Sequence, residues 1–232
     1  MKKLVVLTGA GMSAESGIST FRDSGGLWED HRIEDVATPE GWHRNPQLVL
    51  DFYNQRREQL IAAKPNAGHL LLAEMEKKFV VNIVTQNVDN LHEQAGSTKV
   101  LHLHGELMKA RSTGVGSEVF ELTKDNYTTN LGDKCPKGFQ LRPHIVWFGE
   151  AVPEIENAVN IVSQADILVV IGTSLQVYPA AGLINYAPAN VTIYYIDPNP
   201  AFGVSKNIHV IQKGASEGIA LLNDILKSEN EK

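Results

Sequence analysis

KKLVVLTGAGMSAESG, residues 2–17, is the stretch whose reading decides the fold. Lys2 to Leu7 is a short run of β-branched residues and leucine, long enough for one buried strand. It ends in Thr8-Gly9-Ala10-Gly11, and the residues after Gly11 have the composition of a helix start. Glycines let the backbone turn sharply and approach a bound group with no Cβ in the way. A helix beginning there points its free N–H groups and positive dipole end at whatever lies over the turn, which favours a phosphate. Gly9, Gly11 and Ala14 fit the G-x-G-x-x-G/A dinucleotide pattern in its strand–turn–helix setting. The plainer alternative is a glycine turn in an α/β core. A dehydrogenase of this pattern carries an acid at the end of its second strand, roughly 20 residues further on. Here LWEDHRIEDVATPEG is polar and broken by Pro39 and Gly41, and Glu34 and Asp35 follow no apolar strand. A nucleotide is expected, outside the usual hydride-transfer arrangement.

Composition narrows the classes. The chain has 232 residues, 43% hydrophobic and 21% charged, the balance of a globular chain with a substantial core. A formal net charge of -6 gives no general attraction to nucleic acid or an anionic membrane, so neither is expected as a partner. MKKLVVLTG runs straight into the glycine turn and does not read as a signal peptide. No apolar run approaches the ~20 residues that span a bilayer. The single cysteine, Cys135, can form no intramolecular disulfide, which suits a reducing cytoplasm.

The remaining chain alternates apolar strands with helical stretches, which predicts an α/β doubly wound parallel sheet. Phe21 to Arg32 reads as a loop rich in glycine and charge. A helix is predicted from Pro46 to about Ala63, with Leu48, Val49, Phe52, Tyr53 and Leu60 at helical spacing. Arg56 falls on that stripe, either snorkelling along a partner surface or turned into a pocket beside Tyr53. A helix is predicted from Ala67 to Lys77 and strands at Phe79–Thr85, Lys99–Leu103 and Val191–Ile196. A further strand, DILVVIGTSL, follows a helix from Pro153 to Ala165, and His209–Ile211 is a short last strand before a terminal helix from Glu217 to Lys227. Gln86, Asn87 and Asp89 cluster at a strand's C-terminal end, where open α/β sheets bind ligands. His102 and His104 share a face if their strand runs that far. Residues 109 to 141 lack a strong apolar period and read as an excursion from the sheet. Val146, Trp147 and Phe148 could wall a channel, or be ordinary core aromatics.

GAGMSAESGISTFR, TQNVDNLH, LHLHGEL, PHIVWFGE, GTSLQVYPA and KGASEGI, in that order, resemble the sirtuins, the NAD-dependent protein-lysine deacylases, across nearly the whole chain. Tyr53 and Arg56 are similar to the Tyr-x-x-Arg pair of the class III branch, which includes bacterial deacylases and removes succinyl and malonyl groups as well as acetyl. The fold implied is one catalytic domain with a Rossmann-like large lobe (about 1–28, 67–108 and 143–232) and a small inserted lobe (about 29–66 and 109–142).

The resemblance implies NAD as cofactor and acyl-lysine proteins or peptides as partners, with both bound in the cleft between the lobes. It places Gly9, Ala10, Gly11 and Ser13 at the pyrophosphate and Phe21 and Arg22 on the flexible loop that closes over the cofactor, with Ala14, Ile18, Trp28 and Gln86 also implied to bind the cofactor. Asn87 and Asp89 fall at the nicotinamide-ribose end, and Gly172, Thr173, Ser174, Asp197, Pro198, Asn199 and Ala215 around the adenosine half. His104, with Asn87, is implied as catalytic. His104 is the general base that deprotonates a ribose hydroxyl, with a side chain whose ordinary pKa suits the task. Tyr53, Arg56, Val146, Trp147, Phe148 and Gly149 are implied to bind the acyl-lysine.

Three departures follow. Most sirtuins carry four zinc-binding cysteines, whereas here only Cys135 remains, and one thiolate cannot make a tetrahedral site, so no zinc is expected. Ser19-Thr20 stands where many members have Pro-Asp, and Asp197 where asparagine is usual. Other readings are a non-catalytic NAD-binding module, a mono-ADP-ribosyltransferase, and a metallohydrolase built on His102 and His104.

Overall fold

The computed structural model describes residues 1–18, 27–28, 31–174, 176–200 and 208–230, with residues 27, 28, 229 and 230 described by backbone alone. Phe21, Arg22 and the departure at Ser19-Thr20 lie outside the described residues, as does the side chain of Trp28.

The chain opens with strand β1 (Lys3–Thr8), and short strands β2 (Leu27–Trp28) and β3 (His31–Arg32) pair with each other. Helices α1 (Ile33–Val36), α2 (Pro39–Arg44), α3 (Pro46–Ala62) and α4 (Ala67–Met75) follow, then β4 (Val80–Thr85), α5 (Leu91–Gln94) and β5 (Val100–His102). Strands β6 (Gly105–Ser112), β7 (Val119–Glu121) and β8 (Leu141–Ile145) come next. The chain ends with α6 (Ile155–Val162), β9 (Ile167–Ile171), β10 (Thr192–Ile196), β11 (Ile208–Ile211) and α7 (Ala215–Asn230).

Six strands form one parallel sheet in the order β11-β10-β9-β1-β4-β5. This is the doubly wound Rossmann order, and it reverses direction between β1 and β9. Leu4 to Leu7 are at most 3% exposed because the central strand is covered on both faces. Leu4 and Val6 join the side chains of α4 and α7, including Leu72, Ile219 and Leu222. Val5 and Leu7 face the other way, onto Ala158 and Val162 of α6 and onto Leu183.

The excursion predicted at 109–141 is an antiparallel sheet in the order β7-β6-β8, bounded by the Gly105↔Ile145 pair. A third core, including Val49, Phe52, Tyr53, Leu107, Ile145 and Trp147, joins it to α3. Arg57 of α3 is fully buried and pins the contact. Its Nε donates to the Leu107 carbonyl at 2.8 Å, and Nη1 reaches Asn54 at 2.8 Å and Thr129 at 3.2 Å. Burial lowers its pKa to about 10, against the pull of Tyr53.

Two predictions need correcting. The stretch after Gly11 is no α-helix but two 3-10 turns, Ala10–Met12 and Ala14–Ser16, stopped by Gly17 at φ 84°. Residues 33–44, read as broken, contain α1 and α2. Pro39 is a first-turn proline, and Thr38 caps α2 by accepting from the Gly41 N–H at 3.0 Å. A Cβ on Gly41 would lie 2.6 Å from the Glu34 and Asp35 carbonyl oxygens, so only glycine lets α2 fold back on α1.

Candidate active site

Strands β1 and β9 diverge in topology at their carboxyl ends, and a cavity of about 780 Å³ opens there. In doubly wound sheets this switch point is the ligand crevice. Gly9, Ala10, Gly11, Ser13, Ala14 and Ile18 line one side, and Gly172, Thr173, Ser174, Asp197, Pro198 and Asn199 another. The two turns interlock through their backbones, with the Gly11 N–H donating to the Gly172 carbonyl at 2.8 Å. Ala215 does not line the cavity. It is 3% exposed and packs in the core below, and Gly214 before it takes the lining position.

The strand beside β1 ends in Thr85, not in an acid, as the sequence indicated. A buried acid stands instead at the end of β10, where Asp197 is 1% exposed and its Oδ1 accepts from the Asn199 N–H at 2.8 Å. A carboxylate held this way can accept from ribose hydroxyls. Glycine backbone at the switch point, a buried acid beyond it and the room to hold a dinucleotide fit NAD.

Gln86, Asn87 and Asp89 follow β4 into the cavity. Asn87 Nδ2 donates to Ser13 Oγ at 3.1 Å, and Ser13 Oγ donates to Asp89 Oδ2 at 2.9 Å. Asp89 Oδ1 accepts from the Leu91 N–H at 3.1 Å. This chain fixes the Asn87 amide, because its nitrogen is committed to Ser13. Burial raises the Asp89 pKa, partly offset by those two donors. Gln86 Nε2 donates to Thr173 at 3.1 Å and ties the two halves of the sheet together across the crevice.

His104 lies at the cavity's centre of chemistry. Its Nδ1 is 3.1 Å from the Gln86 carbonyl oxygen, which can only accept, so the neutral ring keeps its hydrogen there and Nε2 is the basic nitrogen. Burial lowers its pKa, against the pull of the Gln86 carbonyl. β5 stops at His102, so the two histidines do not share a strand face. Both ring nitrogens of His102 are engaged, Nδ1 with the Asn87 carbonyl at 3.0 Å and Nε2 with Glu93 Oε1 at 2.8 Å. Neither is available to a metal, which removes the metallohydrolase reading. Among the described residues no three His, Cys, Asp or Glu side chains are grouped to hold a metal ion.

The far end of the same cavity is walled by Tyr53, Arg56, Val146, Trp147, Phe148 and Gly149. Arg56 is only 7% exposed, with its guanidinium 5.1 Å from the Phe52 ring centroid, so it is no snorkelling surface arginine. Trp147 Nε1 donates to the Tyr53 oxygen at 3.1 Å. Gln59, Leu60 and Tyr178 also line the cavity and were missed from sequence, although Gln59 follows Arg56 at helical spacing. Glu15 at the cavity's edge accepts from the Ser216 N–H at the start of α7, and Glu106 pairs with Lys109.

The sequence model of the Sir2 family matches residues 9–179. The chain belongs to the Sir2 family. An NAD-dependent protein deacylase of Bacteroides thetaiotaomicron is 60% identical over 97% of this chain and 98% of its own. One of Helicobacter pylori is 58% identical over 91% of this chain and 89% of its own. Among solved structures, a Sir2 homologue mutant in complex with ADP-ribose superposes with a TM-score of 0.89, at 38% identity over 100% of this chain and 94% of that one. A complex of a Sir2 homologue with NAD gives 0.84, also at 38% identity, over 98% of this chain and 90% of that one. The family match begins at the Gly9 turn and includes the Gly172 turn near its end, the two that interlock at the switch point.

Of the four cysteines that most sirtuins use for zinc, this chain keeps Cys135 alone. Cys135 is buried, and its sulfur accepts from the Ser112 hydroxyl at 3.3 Å. One thiol beside a hydroxyl does not make a structural zinc site.

Proposed function

We propose that this Sir2-family chain removes acyl groups from protein lysine at the expense of NAD, releasing nicotinamide and O-acyl-ADP-ribose, and that it accepts succinyl and malonyl groups as well as acetyl. The relatives named as NAD-dependent protein deacylases support the reaction. The observation that carries the acyl range is a single cavity running from the glycine turns, past His104, to Tyr53 and Arg56.

NAD, when bound, supplies a labile glycosidic bond to nicotinamide. Gly9, Gly11 and Gly172 bring backbone close to its pyrophosphate, and Asp197 accepts from ribose hydroxyls. Asn87 and Asp89 orient the nicotinamide-ribose end. His104 Nε2 takes a proton from a ribose hydroxyl, a contribution of about 10²- to 10⁴-fold for a well-placed base. Trp147, Val146 and Phe148 wall the lysine channel and exclude water. At its end the Arg56 fork can bind an acyl carboxylate through paired charge-assisted hydrogen bonds, each worth about 1.5–3 kcal/mol. The smaller lobe is proposed to comprise residues 29–66 and 109–142.

The test is a mass-spectrometric assay of succinyl- and acetyl-lysine peptides with and without NAD. His104→Ala should abolish turnover of both. Arg56→Met should depress desuccinylation about two orders of magnitude more than deacetylation, each 1.4 kcal/mol being tenfold. Equal loss of both would remove the acyl-selector role, and an absence of nicotinamide release would remove the reaction itself.

A further inference from the structure

A stack of charged and aromatic groups outside the Tyr-x-x-Arg pair ends on the Tyr53 oxygen. Glu150 is its base. Its two oxygens accept from Arg142 Nη1 at 2.8 Å and Nη2 at 3.0 Å, from Arg111 Nη2 at 3.0 and 3.2 Å, and from the Trp147 backbone N–H at 2.8 Å. The Arg142 guanidinium so held lies 3.4 Å from the centroid of the Trp147 ring, a cation–π contact. The Trp42 ring sits 5.9 Å from the Trp147 ring, at an interplanar angle of 37°. The indole is therefore fixed in plane and in depth, and its one polar atom meets Tyr53 at 3.1 Å.

An indole N–H can only donate, so the Tyr53 oxygen is the acceptor in this bond and its own hydrogen is directed elsewhere. Tyr53 is fully buried, and burial raises its pKa despite the opposing pulls of the Trp147 bond and Arg142, so the phenol keeps its hydrogen. Arg56 stands three residues further along α3 and lines the same cavity. A phenol whose lone pair is already occupied presents a donor to a carboxylate without first having to reorient.

We infer that Trp147, braced by Arg142 and Glu150, is a positioning residue that aims the Tyr53 hydroxyl at the carboxylate of an acidic acyl group and so sets the preference for acidic over neutral acyl-lysine. This rests on the acidic-acyl reading above. Trp147 acts through Tyr53, and what matters is its N–H rather than its bulk.

The experiment measures kcat and KM for succinyl- and acetyl-lysine peptides in Trp147→Phe, Tyr53→Phe, the double variant and Arg56→Met. Trp147→Phe keeps an aromatic wall and loses the donor. It should lower the succinyl-to-acetyl ratio of kcat/KM at least tenfold, mainly through KM for the succinyl peptide. In the Tyr53→Phe background the same change should move that ratio less than twofold, since no hydroxyl remains to be aimed. Equal loss on both peptides, or full multiplicative loss in the double variant, would overturn the inference. If Arg56→Met lowers the ratio and Trp147→Phe does not, only the positioning role falls. If Arg56→Met leaves the ratio unchanged, the acidic-acyl reading falls and takes this inference with it. Should Trp147→Phe not fold, Glu150→Gln, which loosens the Arg142 fork, must lower the ratio in its place, and an unchanged ratio there overturns the inference.

Discussion

His102 and His104 hydrogen-bond to the consecutive carbonyls of Asn87 and Gln86, yet their surroundings shift the two rings' pKa values in opposite directions. The second nitrogen of His102 meets the Glu93 carboxylate at 2.8 Å, and since a carbonyl and a carboxylate both accept, both of its ring nitrogens donate. The Glu93 carboxylate favours the protonated form of the His102 ring and raises its pKa, whereas burial lowers that of His104. His104 thus keeps Nε2 open as a base, while the His102 ring, held between Asn87 and Glu93, braces the backbone next to it.

For His104, burial lowers the pKa, partly opposed by the Gln86 carbonyl. The profile of kcat/KM against pH reports the free enzyme's base. Its acid limb should lie below about 6.5, the ordinary histidine value. His104→Ala should abolish the limb together with the activity. A limb above that value would show that some other group supplies the base.

His102 carries the opposite sign. Burial alone would lower its pKa, but the Glu93 bond and charge and the Asn87 carbonyl outweigh it, so the folded value is raised. Stability from the pair is then fully present below the unfolded value of about 6.5 and lost as pH rises through the folded one. Glu93→Gln should cost about 1–2 kcal/mol near pH 6, the lower end of a charged hydrogen bond because Glu93 is 38% exposed and screened. Near pH 9 the cost should nearly vanish. Urea unfolding at the two pH values measures the difference, and a cost independent of pH would sink the assignment.

The sheet was legible because its strands are unbroken apolar runs, and the site because Gln86, Asn87, Asp89 and the Gly172 turn stand at strand ends. What sequence could not supply came from contacts distant in the chain. Ser13 sits between the two 3-10 turns that follow Gly11, and its side chain bonds Asn87 and Asp89, 74 and 76 residues away, contacts that no local pattern shows. Arg57 is satisfied by Leu107 and Thr129, and Trp147 finds Tyr53 across 94 residues. The α1–α2 stretch failed for a local reason, since Pro39 reads equally well as a break or as a first helical turn.

His69 and His92 form a second histidine pair, buried and 4.8 Å apart between ring centroids. Burial lowers His69 to about 4, against the pull of Glu15 and Glu93, and holds His92 well below the ordinary value, with His69 and His102 adding to the effect. Both rings are neutral when folded. Their stability is present above the unfolded value of about 6.5 and lost as pH falls through the folded values, at up to about 1.4 kcal/mol per pH unit for each ring. Stability should therefore drop steeply from pH 6.5 toward pH 4. His69→Leu should flatten that slope even if the variant is less stable at pH 7. Denaturant midpoints across the range decide it, an unaltered slope being the adverse result.

The loop before β8 in the antiparallel sheet is tied together by the Gln140 side chain. The Gln140 side chain donates to the Asn130 carbonyl at 3.0 Å and the Leu141 carbonyl at 2.8 Å, and accepts from the Gly132 N–H at 2.8 Å. Gln140→Ala should cost about 0.5–1.5 kcal/mol, the range for a typical hydrogen bond, since the partners it frees can turn to water. A chelator should leave the melting temperature unmoved. Elemental analysis that finds stoichiometric zinc would contradict both the expectation from Cys135 and this account of the sheet.

Gly172 provides the most direct test of the nucleotide end. It sits at φ 60°, and a Cβ there would lie 2.5 Å from the Gly11 carbonyl carbon and the Met12 nitrogen. Both are backbone atoms of the facing turn and cannot swing aside as a side chain would. Gly132 has φ 98° with nothing within 4 Å of its Cβ position. Gly132→Ala should cost only the left-handed strain, about 1–2 kcal/mol. Gly172→Ala should cost that strain and also force the β1 and β9 turns apart, since the Gly11 N–H to Gly172 carbonyl bond holds them together. Calorimetric titration with ADP-ribose should show at least a tenfold, about 1.4 kcal/mol, loss of affinity in Gly172→Ala and none in Gly132→Ala. Equal affinity in the two variants would mean that the interlocked turns do not form the pyrophosphate cradle.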